Sequence, residues 1–209
     1  MRKATLVQKW KKEGLISDKK VLEAFKKVKR EEFVLKRYRE QAYEDIALPI
    51  GWGATISQPT TVMLMTQELD VRDGDKILEI GTGSGYQAAL LSILVGRRGR
   101  VYTTEIIPEL VEFAKQNLEG YNNVEILFID GSKGYKERAP FDKIVATAAL
   151  PKLLDHLTDQ LKDPGVLLAP IGDKYSQEVI KIVKKKLQIT RTSLGYFQFV
   201  PLKGKFGFS

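Results

Sequence analysis

Three glycines at alternating positions, Gly81, Gly83 and Gly85, separate the short apolar run "KILEI" from "YQAALLSILVG". Glycines between a strand and a helix let the backbone turn tightly and approach a ligand with no Cβ in the way. A dinucleotide fingerprint would place its third glycine at 86, where this chain has Tyr86, and no P-loop lysine is present after it. Glu79, on the strand just before the loop, would repel a pyrophosphate and suits a cationic ligand. Glu105 lies 24 residues after Gly81 and ends the next predicted strand, where a carboxylate can accept both hydroxyls of a ribose. Asp130–Gly131 ends the third strand, where Asp130 can accept from an adenine amino group. A cationic nucleoside with these features is S-adenosylmethionine, which carries an ammonium and a sulfonium. Its electrophilic methyl is moved chiefly by positioning and electrostatics.

The acceptor is narrowed by what the chain lacks. There is no cysteine, so C5 methylation of a pyrimidine has no nucleophile and no disulfide can form. "TAALP" after the fourth strand offers none of the N-P-P-Y type of clamp that presents a base amine. The one histidine, His156, lies in "LLDHLTDQL", away from any motif, and is read as a surface or helix-packing residue; a triad or histidine metal site has nothing else to be built from. A carboxylate acceptor needs no base, since with a pKa near ~4 it is already ionised. It needs donors that aim one oxygen. "GATISQPT" (53–60) supplies them beside the cofactor without a competing charge, and Ser57 is the expected orienting hydroxyl. The alternative is that Thr55 and Ser57 merely cap the helix beginning near Thr60.

These residues require a particular scaffold. Short apolar strands are expected at Lys76–Ile80, Arg100–Ile106, Val124–Asp130, Phe141–Leu150 and Gly165–Gly172, with helices at "YQAALLSILVG", "PELVEFAKQNLEGY" and "PKLLDHLTDQL" between them. That alternation predicts right-handed crossovers and a doubly wound, mostly parallel sheet with helices on both faces. "EVIKIVKKK" and "LQITRTSLGYFQFVPL" predict an antiparallel hairpin at the edge. Residues 1–40 read as helices, the second capped by Ser17, and another helix is expected over Thr60–Leu69. The organisation expected is one domain: a helical cap and active-site loop over 1–70, a βα core over 71–172 and a C-terminal β segment over 173–209.

At 209 residues with 43% apolar content, the chain is long enough for one α/β domain. Its net charge of +8 is confined to residues 1–40, which hold fourteen Lys/Arg against six Asp/Glu, whereas the rest is balanced at twenty each. Interleaved acids make this a solvated set of helix faces. A basic surface for an anionic partner is the competing reading. The N-terminus has no apolar core for a signal peptide, and the longest apolar run, Ala88–Gly96, is too short to span a bilayer. A cytoplasmic protein is expected, monomeric, with no membrane or nucleic-acid partner and no metal. Three Asn, none before Gly, and many Lys and Glu predict a thermophilic source. A melting midpoint below about 55 °C, within the mesophile range, would contradict that.

"LPIGWGATISQPTTVMLMTQEL", "ILEIGTGSGYQAALLS", "IDGSKGY", "FDKIVATAALP" and "GYFQFVPLKG" together resemble the protein-L-isoaspartate (D-aspartate) O-methyltransferases, in order from about residue 5 to the C-terminus. "TISQP" is the most specific element. The resemblance implies a Rossmann-like class I methyltransferase fold with a variant order of the last two of its seven strands. It implies methyl transfer from S-adenosylmethionine to the free carboxylate of L-isoaspartyl residues, and in many members of D-aspartyl side chains, in aged proteins; the ester collapses to a succinimide that can hydrolyse to aspartate. It places the catalytic serine on Ser57, and cofactor contacts on Ala54, Thr55, Ile56, Glu79, the loop from Ile80 through Gly81, Thr82, Gly83 and Ser84 to Gly85, Glu105, Ile106, Asp130 and Gly131. Substrate contacts fall on Thr55, Ser57, Val200 and Leu202, within a C-terminal segment, Phe199–Leu202, that helps close the site. The chain departs from many members at Ala54, where Gln is common, at Thr60–Thr61, where an aromatic or His is common, and in "IDGS" for "GDGT". An RNA methyltransferase, motivated by the basic N-terminus, and a non-catalytic cofactor-binding module are the competing functions.

Overall fold

A computed structural model describes residues 2–186 and 188–208. The elements in chain order are α1 (Lys3–Glu13), α2 (Lys19–Lys27), the hairpin β1 (Leu48–Gly51) and β2 (Ala54–Ile56), α3 (Pro59–Glu68), β3 (Lys76–Ile80), α4 (Tyr86–Val95), β4 (Arg100–Glu105), α5 (Pro108–Asn117), β5 (Val124–Phe128), β6 (Phe141–Ala146), α6 (Asp155–Asp159), β7 (Leu161–Gly172), β8 (Gln177–Lys185) and β9 (Gln188–Phe197). Strands β3 to β9 form one sheet in the order β5-β4-β3-β6-β7-β8-β9. The five strands from β5 to β7 are parallel, and β8 and β9 add antiparallel pairs. The last two strands, where the resemblance implies a variant order, are consecutive neighbours with β9 at the edge.

Alternating side chains on the central strands feed two hydrophobic clusters, one on each face of the sheet. Ile77, Val101 and Val145 join the cluster that holds the apolar faces of α1 to α5. Leu78, Ile80, Ile144 and Leu167 join the other, with Leu157 of α6. The N-terminal helices belong to the first cluster: Trp10 and Phe25 are fully buried and meet edge to face at 4.8 Å.

Several local expectations change. The cap of α2 is Asp18, not Ser17; its carboxylate accepts from Lys20 N and Val21 N, a contact worth about 1 kcal/mol. The stretch expected as a loop before α3 contains β2, paired with β1 through a tip at Gly51-Trp52-Gly53 in which all three residues have positive φ. Only Asp155–Asp159 of "PKLLDHLTDQL" is α-helical. Backbone pairing trims it from both ends: Leu150 N bonds Pro170 O, and Leu161 pairs with Phe141 and so opens β7 four residues before Gly165. The antiparallel hairpin stands as expected, although Leu187, the first residue of its second run, lies outside the described residues. No helix among the described residues is long and apolar enough to cross a membrane.

Candidate functional site

The order of strands reverses between β3 and β6, which flank each other in the middle of the sheet. Ligands of open α/β sheets bind beyond the carboxyl ends of the strands at such a point. The register there is level: Ile80 pairs with Thr104 on one side and Ala146 on the other. The next residues, Gly81, Glu105 and Thr147, therefore emerge in a row. A cleft of about 390 Å³ opens over them, within the ~300–1,000 Å³ range of small-molecule sites.

The glycine loop forms one wall. Gly81, Gly83 and Gly85 have φ of 98°, 53° and 85°. A Cβ on Gly81 would also meet Thr147 Oγ1 at 2.7 Å. Thr147 N donates to Ile80 O, and its hydroxyl shares its one proton between Ile80 O and Gly81 O, so the residue after β6 holds the loop in place. On the other side the Glu105 carboxylate accepts from Gly83 N at 2.9 Å and from the amides of Ile106 and Ile107 at 2.9 and 3.1 Å. Those three bonds fix its rotamer and leave about one of the roughly four acceptor positions of a carboxylate, on Oε2, for a ligand.

Glu79 stands apart from every other group in the cleft. Its neighbours on β3 are apolar, it is fully buried, and neither carboxylate oxygen has a hydrogen-bond partner among the described residues. Burial pushes its carboxyl up to about 8; the nearby Thr103 hydroxyl, whose hydrogen bond is made with Thr82, partly opposes, and the negative charge of Glu105 adds to the rise. An unsatisfied carboxylate in a dry site costs several kcal/mol unless a cation or donor meets it. Among the described residues no hydrogen-bond donor and no salt-bridge cation meets it.

The opposite wall comes from β2, its connection to α3 and α3 itself. Ala54, Thr55, Ile56 and Ser57 line the cleft, as do Val62 and Met65 of α3. Ser57 does not cap α3. The N-cap is Gln58 with no side-chain cap bond, and the free amide of Thr60 is met by Asp45 instead. No hydrogen bond engages the Ser57 hydroxyl among the described residues, whereas its carbonyl accepts from Arg30. The third wall is the C-terminal segment. Ala149 N bonds Val200 O and Leu202 N bonds Ala149 O, each at 2.9 Å, which draws Phe199, Val200 and Leu202 beside the end of β6 and into the cleft.

The cleft thus gathers Ala54–Ser57, Glu79 to Ser84, Glu105, Ile106, Gly131, Val200 and Leu202 from the residues singled out in the sequence. Gly85 and Asp130 are not among its lining residues. Gly85 serves the turn into α4, where a Cβ would press on Leu118. The Asp130 carboxylate is engaged by Ser132 N and Oγ and by Lys205 N, tying the C-terminal turn to the end of β5. His156 packs against Phe206 with its Nε2 at 2.8 Å from Ser132 O, outside the cleft. Trp52, Tyr86, Gln87, Thr147 and Phe208 also line the cleft, unanticipated. Thr147 alone was within reach of a strand-end argument, because it directly follows β6, level with Glu105 at the end of β4.

The family model for protein-L-isoaspartate(D-aspartate) O-methyltransferase matches residues 1–207 of this chain. The chain belongs to that family. A protein-L-isoaspartate O-methyltransferase 2 of Archaeoglobus fulgidus is 46% identical over 192 residues, covering 91% of this chain and 88% of the relative. A relative from Dictyoglomus thermophilum is 46% identical over 208 residues, 99% of this chain and 93% of its own. A solved Plasmodium falciparum protein assigned to the same activity, in complex with S-adenosyl-L-homocysteine, superposes with a TM-score of 0.84 at 27% identity, covering 95% of this chain and 97% of that one.

Proposed function

We infer that this protein transfers a methyl group from S-adenosylmethionine to the free carboxylate of L-isoaspartyl residues in aged proteins and peptides, the step that starts their return to aspartate through a succinimide. Its family membership supports this. The observation that carries it is the pairing, in one cleft, of a buried carboxylate lacking any partner with a serine hydroxyl lacking any partner, among the described residues.

The cofactor fits the residues present. Glu79 would meet its ammonium, Glu105 its ribose, and the glycine loop would approach it without side chains. S-adenosylmethionine supplies a methyl made electrophilic by its sulfonium. The protein's own residues do the rest. Ser57 donates to one oxygen of the acceptor carboxylate and turns the other toward the donor. Val62, Met65 and Phe199 give the wall an apolar character that keeps water out. No residue has to remove a proton, because the acceptor arrives ionised. Lys174 and Lys203, both exposed at the cleft, suit an anionic acceptor.

Asp130 keeps its expected part in adenine binding in this reading, through an oxygen shared with the Lys205 amide. D-aspartyl side chains are a further substrate that the same cleft would serve. The protein is read as a cytoplasmic monomer that uses neither nucleic acid nor a membrane, since acids are interleaved with the N-terminal bases; a dimer mass by light scattering would contradict that. The organisation into cap, core and C-terminal segment is read as one folding unit, because the first hydrophobic cluster runs without a break from Leu6 to Phe199.

Two experiments test the assignment. Radiolabelled methyl transfer to paired peptides, one with isoaspartate and one with aspartate, is expected to label the isoaspartyl peptide alone. Labelling of neither, with cofactor binding intact, would remove this activity. Glu105→Ala is expected to weaken S-adenosylmethionine binding at least about tenfold, through lost charge-assisted bonds of about 1.5–3 kcal/mol. An unchanged affinity by calorimetry would take Glu105 out of the site.

A further inference from the structure

Arg30 is a fully buried cation without a carboxylate partner among the described residues. It sits in a short 3₁₀ turn (Arg30–Glu32) between α2 and the β1–β2 hairpin. Its Nε donates to Ala42 O and its Nη2 to Ser57 O, both at 2.8 Å. Its Cζ lies 5.0 Å from the ring centroid of Tyr86, a residue of α4 that lines the cleft. Nη1 has no hydrogen-bond partner among the described residues, and no salt bridge among them involves this side chain.

As a source of stability this is a poor arrangement. A buried charge held by two carbonyls and a ring face bears a desolvation cost that an apolar side chain of similar volume avoids. What the apolar side chain cannot do is donate, in a fixed plane, to the carbonyl of Ser57. That bond sets the peptide between Ser57 and Gln58. On the other side, Thr55 and Ile56 are held by their pairing with Pro49 and Leu48. The Ser57 backbone is thus fixed from both directions, and its hydroxyl is left with a single torsion and no partner among the described residues.

We propose that Arg30 is a positioning residue for methyl transfer: from outside the cleft it holds the Ser57 carbonyl so that the Ser57 hydroxyl is aimed at the acceptor carboxylate. This rests on the reading of Ser57 as the orienting group. Arg30 touches neither substrate nor cofactor, so its effect appears in turnover and not in cofactor affinity.

The test is a double-mutant cycle with Arg30→Met, Ser57→Ala and the pair, scored by kcat and KM on an isoaspartyl peptide, by calorimetric cofactor affinity and by melting temperature. Arg30→Met is expected to melt at or above the wild-type temperature, to bind cofactor within about twofold of it, and to lose about 10- to 100-fold in kcat. In the Ser57→Ala background the same change is expected to remove less than about threefold, because residues that act through one another are not additive. Arg30→Lys, a point donor that has to choose between two carbonyls, is expected to fall between Arg30→Met and wild type. If Arg30→Met does not fold, the cycle is run with Arg30→Lys, and wild-type kcat in whichever variant folds overturns the proposal. An impaired Ser57→Ala enzyme on which the Arg30 loss adds in full overturns it alone. A Ser57→Ala enzyme with normal turnover overturns the serine reading and this proposal together.

Discussion

Ser57→Ala is expected to lower kcat on an isoaspartyl peptide by about 10²-fold while leaving cofactor affinity within about twofold. The size comes from orientation. Displacing a reacting atom by about 1 Å can cost on the order of 10² in rate, and Ser57 is the one residue of the β2–α3 connection whose hydroxyl is both in the cleft and unengaged among the described residues. The sign of the electrostatics narrows the role further. The acceptor carboxylate loses its negative charge as the methyl arrives, so a hydrogen bond to the attacking oxygen weakens on the way to the transition state and would slow the reaction. The bond therefore belongs on the other carboxylate oxygen, where it holds geometry without blunting the nucleophile. Ser57→Thr keeps the hydroxyl and is expected to recover much of the loss. Wild-type kcat in Ser57→Ala would leave the connection without a catalytic part.

The parallel core was legible because its signal is repeated. Five apolar runs alternating with helical stretches admit few topologies once crossovers are right-handed, and each carboxylate at a strand end could be placed before the register was known. The ends of elements were less legible. The helix expected over Pro151–Leu161 shrinks to Asp155–Asp159 because Leu150 and Leu161 are claimed by pairing partners elsewhere in the chain, at Pro170 and Phe141. β2 was hidden for a similar reason. Three residues, Ala54, Thr55 and Ile56, are too few to show an alternation, and their pairing with β1 depends on a Gly-Trp-Gly tip in the left-handed region.

In the site, composition revealed which groups could do chemistry and not what they touch. Asp130 was assigned to a base on its place after β5, and that placement does not reveal that its oxygens also meet Ser132 and Lys205, the latter 75 residues away. Arg30 looked like one of fourteen cations on a solvated surface. No local pattern separates it from Lys29 or Arg37; only the tertiary structure buries it against Ser57. Glu79 was the opposite case. A charged residue inside an otherwise apolar run is visible in "KILEI", and the physical argument against an anionic ligand needed nothing more.

Glu79 also makes cofactor binding depend on pH in a defined direction. Its carboxyl, normally near 4.5, titrates at about 8 in the ligand-free protein because burial disfavours the anion. A folded value above the unfolded one means that the native state holds the proton more tightly. The stability from keeping this group neutral is complete below about pH 4.5 and is lost as the pH rises toward 8. At about 1.4 kcal/mol per unit the loss is on the order of several kcal/mol. Binding an ammonium requires the anion, so it releases a proton wherever Glu79 starts out neutral. S-adenosylmethionine affinity is expected to rise about tenfold from pH 6 to pH 7 and to level near 8, where the ligand's own amino group, with a pKa of about 8, begins to lose its charge. S-adenosylhomocysteine, which keeps the ammonium and lacks the sulfonium, is expected to show the same slope. Calorimetry in two buffers of different ionisation enthalpy measures the proton released. Glu79→Gln is expected to bind at least about tenfold more weakly at pH 8, to lose the slope, and to melt higher than wild type when ligand-free at that pH. An affinity that does not change between pH 6 and pH 7, or a Gln variant that retains the wild-type slope, would mean that the cation is met by some other group and that the unpartnered carboxylate on β3 has a different use.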